Sequence, residues 1–111
     1  MTIFLLACDG RRAVQKRKEK GVLQGLYQYP NVEEKLTPDA ALALAEAWGC
    51  SPSGLTRSSE HRHIFSHVEW HMTGYYISCG RQGKGPEGDF LWAEEKQMEE
   101  EIPLPSAFGY F

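Results

Sequence analysis

The sequence predicts a single domain of mixed α/β (α+β) class spanning residues 1–111. Short β-forming segments and two helical segments interleave along the chain, which favours a sheet covered by helices. The chain has 111 residues, of which 41% are hydrophobic and 12% aromatic, enough for one core and too few for two. No apolar run approaches the roughly 20 residues that span a bilayer, and the first residues do not resemble a signal peptide. We therefore expect a cytoplasmic, monomeric protein with no membrane partner.

The first predicted element is a β-hairpin. Residues 2–8 are rich in β-formers and end at Asp9-Gly10, a dipeptide typical of tight hairpin turns. A charged segment over residues 13–17 follows and is suited to the second strand.

A helix is predicted over residues 40–48. Thr37 is suited to the N-cap, Pro38 to the first helical position and Asp39 to the positive end of the helix dipole. Gly49 ends the helix, and residues 51–54 are predicted to form a loop. Further strands are expected at residues 60–67, 69–78 and 89–92, and a short acidic helix at residues 93–101.

The positive charge is unevenly distributed. The net charge is −3, but residues 1–20 contain six basic and two acidic side chains. Five of the basic residues form what we call the basic strip: Arg11, Arg12, Lys16, Arg17 and Lys18. Such a strip is suited to phosphate groups, although basic residues on an exposed strand also serve solubility.

Residues 61–72 contain the most informative pattern. Alternation places Ile64, Val68, Trp70 and Met72 on a core face. Ser66 interrupts that face and Phe65 falls on the polar one, so we expect a bulge or exposed turn at residues 65–67. An aromatic ring, a hydroxyl and an imidazole, here Phe65, Ser66 and His67, are suited to reading a base, whereas a hairpin turn without a partner would explain the same residues.

No metal site or cofactor is predicted. His63, His67 and His71 lie four residues apart, which in a strand separates neighbours by about 13 Å. The three cysteines are far apart and form no C-x-x-C pair, so reduced, partly buried thiols are expected. The glutamates of residues 94–101 are typical of a solvated helix face.

Four segments, taken in order, resemble the C-terminal domain of the A/G-specific adenine DNA glycosylases, the MutY family. They are Arg17-Lys18 with Gly21-Val22-Leu23-Gln24-Gly25-Leu26-Tyr27-Gln28-Tyr29-Pro30, then Phe65-Ser66-His67 followed by Glu69-Trp70-His71-Met72, then Trp92, and finally Ile102-Pro103-Leu104-Pro105-Ser106-Ala107-Phe108. The resemblance covers nearly the whole chain.

The resemblance implies a Nudix-like fold with a mixed β-sheet between helices. It also implies a DNA-repair role in which Phe65, Ser66 and His67 approach 8-oxoguanine in double-stranded DNA. In that family a separate helix-hairpin-helix domain with an iron–sulfur cluster excises the mispaired adenine, and this chain has no counterpart of it. The catalytic domain of the same protein is thus an expected partner.

Two other functions remain open from the sequence. Nudix hydrolases hold metal with a helix patterned Arg-Glu-hydrophobic-x-Glu-Glu, whereas the predicted helix has only Asp39 and Glu46 as acids. An active nucleotide hydrolase is therefore disfavoured. A degenerate Nudix domain that contacts a protein through the Phe65 loop and the C-terminal tail is the main alternative to DNA binding.

Overall fold

The computed structural model describes residues 1–16, 27–65, 67–102, 104 and 106–111. The strands and helices in this part of the chain are β1 (Thr2–Cys8), β2 (Arg11–Lys16), β3 (Tyr27–Gln28), β4 (Asn31–Val32), α1 (Pro38–Ala47), β5 (Pro52–Phe65), β6 (Val68–Cys79), β7 (Leu91–Glu94), α2 (Glu95–Glu100) and a 3₁₀ helix (Ser106–Tyr110).

The strands form a mixed sheet with β1 near its centre. The main order is β3-β2-β1-β6-β5, while β4 adds to β1 and β7 adds to β2. β1 runs parallel to β6, and its pairings with β2 and β4 are antiparallel. Because β1 is covered on both faces, it is apolar on both, and Ile3, Phe4 and Leu6 are fully buried.

Each face of the sheet has its own hydrophobic cluster. On the α1 face, Phe4, Leu6 and Ile77 pack against helix α1. On the opposite face, which we call the C-terminal face, Ile3 and Met72 pack with residues that follow β7, notably Ile102 and Phe108. The predicted mixed sheet between helical layers is confirmed.

Helix α1 forms where its local signals predict it. The Thr37 hydroxyl accepts a hydrogen bond from the Ala40 amide at 3.2 Å, and Pro38 begins the helix. Gly49 follows the helix with φ of +85°, a conformation that glycine adopts without strain. The side of the helix that faces the sheet is buried and carries small side chains, Ala41 and Ala45, followed by Trp48 at the C-cap. The helix therefore packs closely on the sheet.

The predicted first hairpin is also confirmed. Cys8 pairs with Arg11, leaving Asp9 and Gly10 as a two-residue turn with φ of +53° and +74°. Positive φ at both positions is the geometry that the Asp-Gly dipeptide favours.

Residues 51–54 were predicted as a loop, and this prediction is wrong for most of the segment. β5 begins at Pro52, which pairs with Cys79, and it runs for 14 residues with irregular register at Pro52/Gly54 and Leu55/Arg57. Proline is tolerated at the first residue of an edge strand, where its missing N–H removes no ladder bond. β7 likewise lies two residues later than predicted, in register with β2.

The predicted core face of residues 64–72 is wrong at Ile64 and also at Val68, which lies on the same face as Trp70 but is 40% exposed near the hairpin turn. Residues paired across two strands point to the same face of the sheet, and here Phe65 pairs with Val68 and Ile64 with Glu69. Even-numbered residues of β5 therefore share a face with odd-numbered residues of β6. Ile64 therefore points away from Trp70 and Met72 and is 60% exposed. Over the described residues, no helix is long and apolar enough to cross a membrane.

Candidate nucleic-acid interface

The β5–β6 ladder projects beyond the rest of the sheet. β1 pairs with β6 only from Thr73 onward, whereas β5 and β6 continue through five further pairs, from His61↔Met72 to Phe65↔Val68. At about 3.3 Å per residue, the extension is roughly 16 Å long. We call residues 61–72 the projecting hairpin.

The turn of this hairpin carries the predicted base-reading residues. Phe65 ends β5 and Val68 begins β6, so only two residues connect them. His67 lies in the turn and is exposed. Ser66 lies outside the described residues, and Phe65 is described only through its backbone pairing. Their contact with a lesion base stays a prediction.

The side chain of Arg12, in the basic strip, makes its contacts within the domain. Its guanidinium donates to the Phe111 carbonyl at 3.2 Å and to the Tyr29 hydroxyl at 3.4 Å, and it lies 5.6 Å from the centre of the Tyr76 ring. These contacts join β2 to the last residues of the chain, so Arg12 has a structural role that its charge alone does not indicate.

The remaining described residues of the basic strip lie at opposite ends of β2. Arg11 stands beside the first hairpin turn and pairs with Glu94 at 3.3 Å. Lys16 is exposed and ends β2 on the side from which the hairpin projects. Arg12 pairs with Ala7 of β1, which pairs with Ser78 of β6. Ser78 is ten residues from Val68 at the hairpin turn, a distance of about 33 Å along the strand. Arg17 and Lys18 lie outside the described residues. The geometry thus favours Lys16 over Arg11 and Arg12 as a neighbour of the hairpin turn.

A groove at the base of the projecting hairpin contains two cations, Lys35 and Arg62, that the sequence analysis did not single out. It has a volume of about 570 Å³ and is lined by Lys35, Arg62 and His71, among others. Lys35 pairs with Glu60 at 3.2 Å, and Glu69 pairs with both Arg62 (3.2 Å) and His71 (3.4 Å). Such exposed pairs contribute little to stability, so a phosphate could compete for the cations Lys35 and Arg62. Only the strand register, which brings β5 and β6 together, could have identified them.

A larger cavity of about 610 Å³ lies at the other end of the C-terminal face. Arg12, Tyr29, Met98, Phe108 and Phe111 are among its lining residues. The cavity lies beside the β1–β2 turn, and two of its lining residues, Phe108 and Phe111, also contact Trp70 and His61 of the projecting hairpin.

The three cysteines are free thiols within the fold, as predicted: Cys8 and Cys50 are buried and Cys79 is half-buried. Burial and the neighbouring Asp9 carboxylate raise the pKa of Cys8. A hydrogen bond with the Cys79 thiol lowers the pKa of Cys50 and raises that of Cys79. They belong to the core on the α1 face and not to the projecting hairpin.

Helix α1 does not fit the metal that Nudix hydrolases use. Its acids, Asp39 and Glu46, are both exposed and stand seven residues apart, about 10.5 Å along the helix axis. Magnesium requires ligand oxygens at about 2.1 Å, so these two carboxylates cannot share one ion. In the described part of the chain, no group of three histidine, cysteine or acidic residues could hold a metal.

The sheet between two helical layers, with a long β5–β6 hairpin, defines a small α+β domain of the Nudix type. The chain matches the NUDIX domain family over residues 2–110 and belongs to that family. No curated protein matches it in sequence.

Several solved structures share the fold. The C-terminal domain of mouse MUTYH, solved in complex with human PCNA, has a TM-score of 0.70 and 17% identity, covering 98% of this chain and 81% of that one. RenU, a Nudix hydrolase from M. smegmatis, has a TM-score of 0.64 and 17% identity, covering 96% and 77%. At these identities the likeness establishes the fold alone.

Proposed function

We propose that this chain is a DNA-binding domain that recognises 8-oxoguanine for an adenine glycosylase and does not itself catalyse a reaction. The observation that carries the proposal is the projecting hairpin, which holds Phe65 and His67 at the extremity of the sheet. A turn in this position can reach a base while the body of the domain stays outside the duplex. The resemblance of the Phe65-Ser66-His67 segment to the glycosylase family supports this assignment.

The lesion differs from guanine at two atoms that such a turn can read. N7 gains a hydrogen and becomes a donor, whereas guanine N7 only accepts, and C8 gains a carbonyl oxygen. The Ser66 hydroxyl can accept from the lesion's N7–H, but it can also donate to guanine N7. A main-chain N–H of the turn could donate to the C8 oxygen, which guanine lacks.

The first prediction follows from these atoms. Ser66→Ala is expected to weaken the preference for 8-oxoguanine over guanine by about 1 kcal/mol, the typical net value of one hydrogen bond. Phe65→Ala should instead weaken binding to both DNAs, because a wedging ring does not distinguish them. Competition binding with matched lesion and undamaged duplexes measures both effects. If both variants keep the original affinity and preference, the hairpin turn is not the reader.

A second prediction concerns phosphate contacts. Replacing Lys16 and Lys18 with alanine is expected to reduce the slope of log K against log salt by about two, since each lost phosphate contact removes about 0.9. Arg11→Ala/Lys96→Ala is a matched control, because it removes two exposed positive charges from the opposite end of the sheet. Equal reductions in both variants would mean that these lysines make no local contact.

A third prediction is that the chain does not hydrolyse nucleotides. Incubation with 8-oxo-dGTP and magnesium is expected to release no phosphate product above a buffer blank, because one carboxylate cannot hold the metal and neutralise a pyrophosphate. Glu46→Gln is the control. Product formation that this substitution abolishes would establish a hydrolase.

Protein contact is the second candidate function. Ile64 is 60% exposed and Val68 is 40% exposed at the end of the projecting hairpin, on its two opposite faces. Exposed apolar side chains of this kind suit a protein surface better than a phosphate backbone. If the chain binds neither duplex, this function gains support.

A further inference from the structure

Three aromatic rings, Phe111, His61 and Tyr110, form a cluster on the C-terminal face at the base of the projecting hairpin. The Phe111 ring lies directly on the backbone of Gly74, since an added Cβ there would come within 2.3 Å of that ring. The His61 ring meets Phe111 edge-on at 5.1 Å and 86°. Tyr110 then lies against His61 at 5.0 Å with an interplanar angle of 13°.

The Tyr110 ring is held in place and is also exposed to solvent. The Tyr110 hydroxyl lies 3.2 Å from Nδ1 of His63, which also meets the ring of Tyr110 at 68°. Tyr110 is nevertheless 46% exposed. Because one side of its ring faces His61, a planar ligand would stack on the opposite side. A ring already held in place loses little conformational entropy when a ligand stacks on it.

A cation follows along the same face. Arg57 lies four residues before His61 on β5, about 13 Å away along the strand. Its guanidinium is exposed and sits 4.2 Å from the centre of the Tyr76 ring. Within the described residues no carboxylate pairs with it, so its charge is available to an anion.

We propose that the open face of Tyr110 is a stacking platform for one unstacked nucleobase of bound DNA, and that Arg57 contacts a phosphate of the same strand. The proposal rests on the proposed DNA-binding function and adds a site to it. A planar π surface beside a cation is the combination that takes a nucleotide, because the ring binds the base and the charge binds the backbone. His63, which holds Tyr110, is two residues from the Phe65↔Val68 pair, so the stacked base would neighbour the lesion.

The test measures affinity of the whole chain for an 8-oxoguanine duplex by fluorescence anisotropy. Tyr110→Leu is expected to weaken binding about tenfold, the size of one lost base–aromatic stack. Tyr110→Phe keeps the ring and loses only the hydroxyl contact with His63, so it should weaken binding much less than Tyr110→Leu. Leu91→Ala, a change at an exposed apolar residue of β7, should leave affinity unchanged. Circular dichroism checks that each variant is folded.

A thermodynamic cycle identifies the base. The nucleotides on either side of the lesion are replaced one at a time by an abasic analogue. At one of these positions, loss of the base and Tyr110→Leu should be non-additive, because either change alone removes the same stack. Additive effects at every position, or equal losses for the Leu and Phe variants, would overturn the platform.

The two proposals fail in different ways. If lesion preference depends on Ser66 while Tyr110→Leu retains full affinity, the platform is wrong and lesion reading stands. If the chain binds no duplex, both are wrong.

Discussion

Replacing Phe108 with alanine is expected to lower the free energy of unfolding by about 3–5 kcal/mol. Phe108 is 1% exposed and fills the centre of the cluster on the C-terminal face. Its ring meets Tyr29 at 6.1 Å and Trp70 at 5.9 Å, both near edge-on. Removing the ring would leave a cavity that sheet residues on one side cannot collapse to fill, because their backbone is fixed by ladder hydrogen bonds.

Urea denaturation followed by circular dichroism measures this loss. Phe108→Leu is the matched variant, since it keeps much of the apolar volume and should cost clearly less than Phe108→Ala. A loss below about 1 kcal/mol for the alanine variant would mean that the 3₁₀ helix is not packed on the sheet. Such a result would also remove the support on which Phe111 and Tyr110 rest.

The elements predicted well from the sequence are those with local signals. Thr37, Pro38 and Gly49 set the limits of α1 through capping and φ preferences that involve only neighbouring residues. The turn at Asp9-Gly10 is similar, because its geometry depends on those two residues. In both cases the sequence contains the physical cause of the structure within a few positions.

The predictions that failed depended on strand register. Whether Ile64 shares a face with Trp70 is decided by the number of residues in the turn between β5 and β6, and alternation within one strand cannot supply that number. Likewise, Pro52 and Gly54 are typical of a loop, yet pairing with β6 draws them into β5. Tertiary pairing overrides local preference at these positions.

The candidate interface was predictable only in part for the same reason. A basic strip is visible in the sequence, but Arg12 differs from Lys16 because it contacts Tyr29 and Phe111, the latter 99 residues away along the chain. The platform at Tyr110 depends on His61 and Gly74, which no sequence spacing connects to it. Side chains whose role arises from such distant contacts require the fold before they can be recognised.

Gly83→Ala is expected to destabilise the domain by about 2–4 kcal/mol, although the residue lies in a loop of the sequence. A Cβ at this position would lie 2.4 Å from the Trp48 carbonyl oxygen and 2.7 Å from the Gly49 carbonyl carbon. Both atoms belong to the backbone that ends α1, so neither can move aside as a side chain would. The Gly83 carbonyl also accepts the buried indole N–H of Trp92 at 2.7 Å, and displacing the loop would leave that donor unsatisfied.

Thermal unfolding of Gly83→Ala and Gly109→Ala compares a closely packed glycine with an open one, because a Cβ at Gly109 meets nothing within 4 Å. The Gly109 variant should change stability by no more than about 0.5 kcal/mol. Tryptophan fluorescence provides a local measure, since Trp48 and Trp92 both contact Gly83. If the two variants unfold at the same temperature, the loop that contains Gly83 does not pack against the end of α1. The position of that helix on the sheet would then depend on the packing of Ala41 and Ala45 alone.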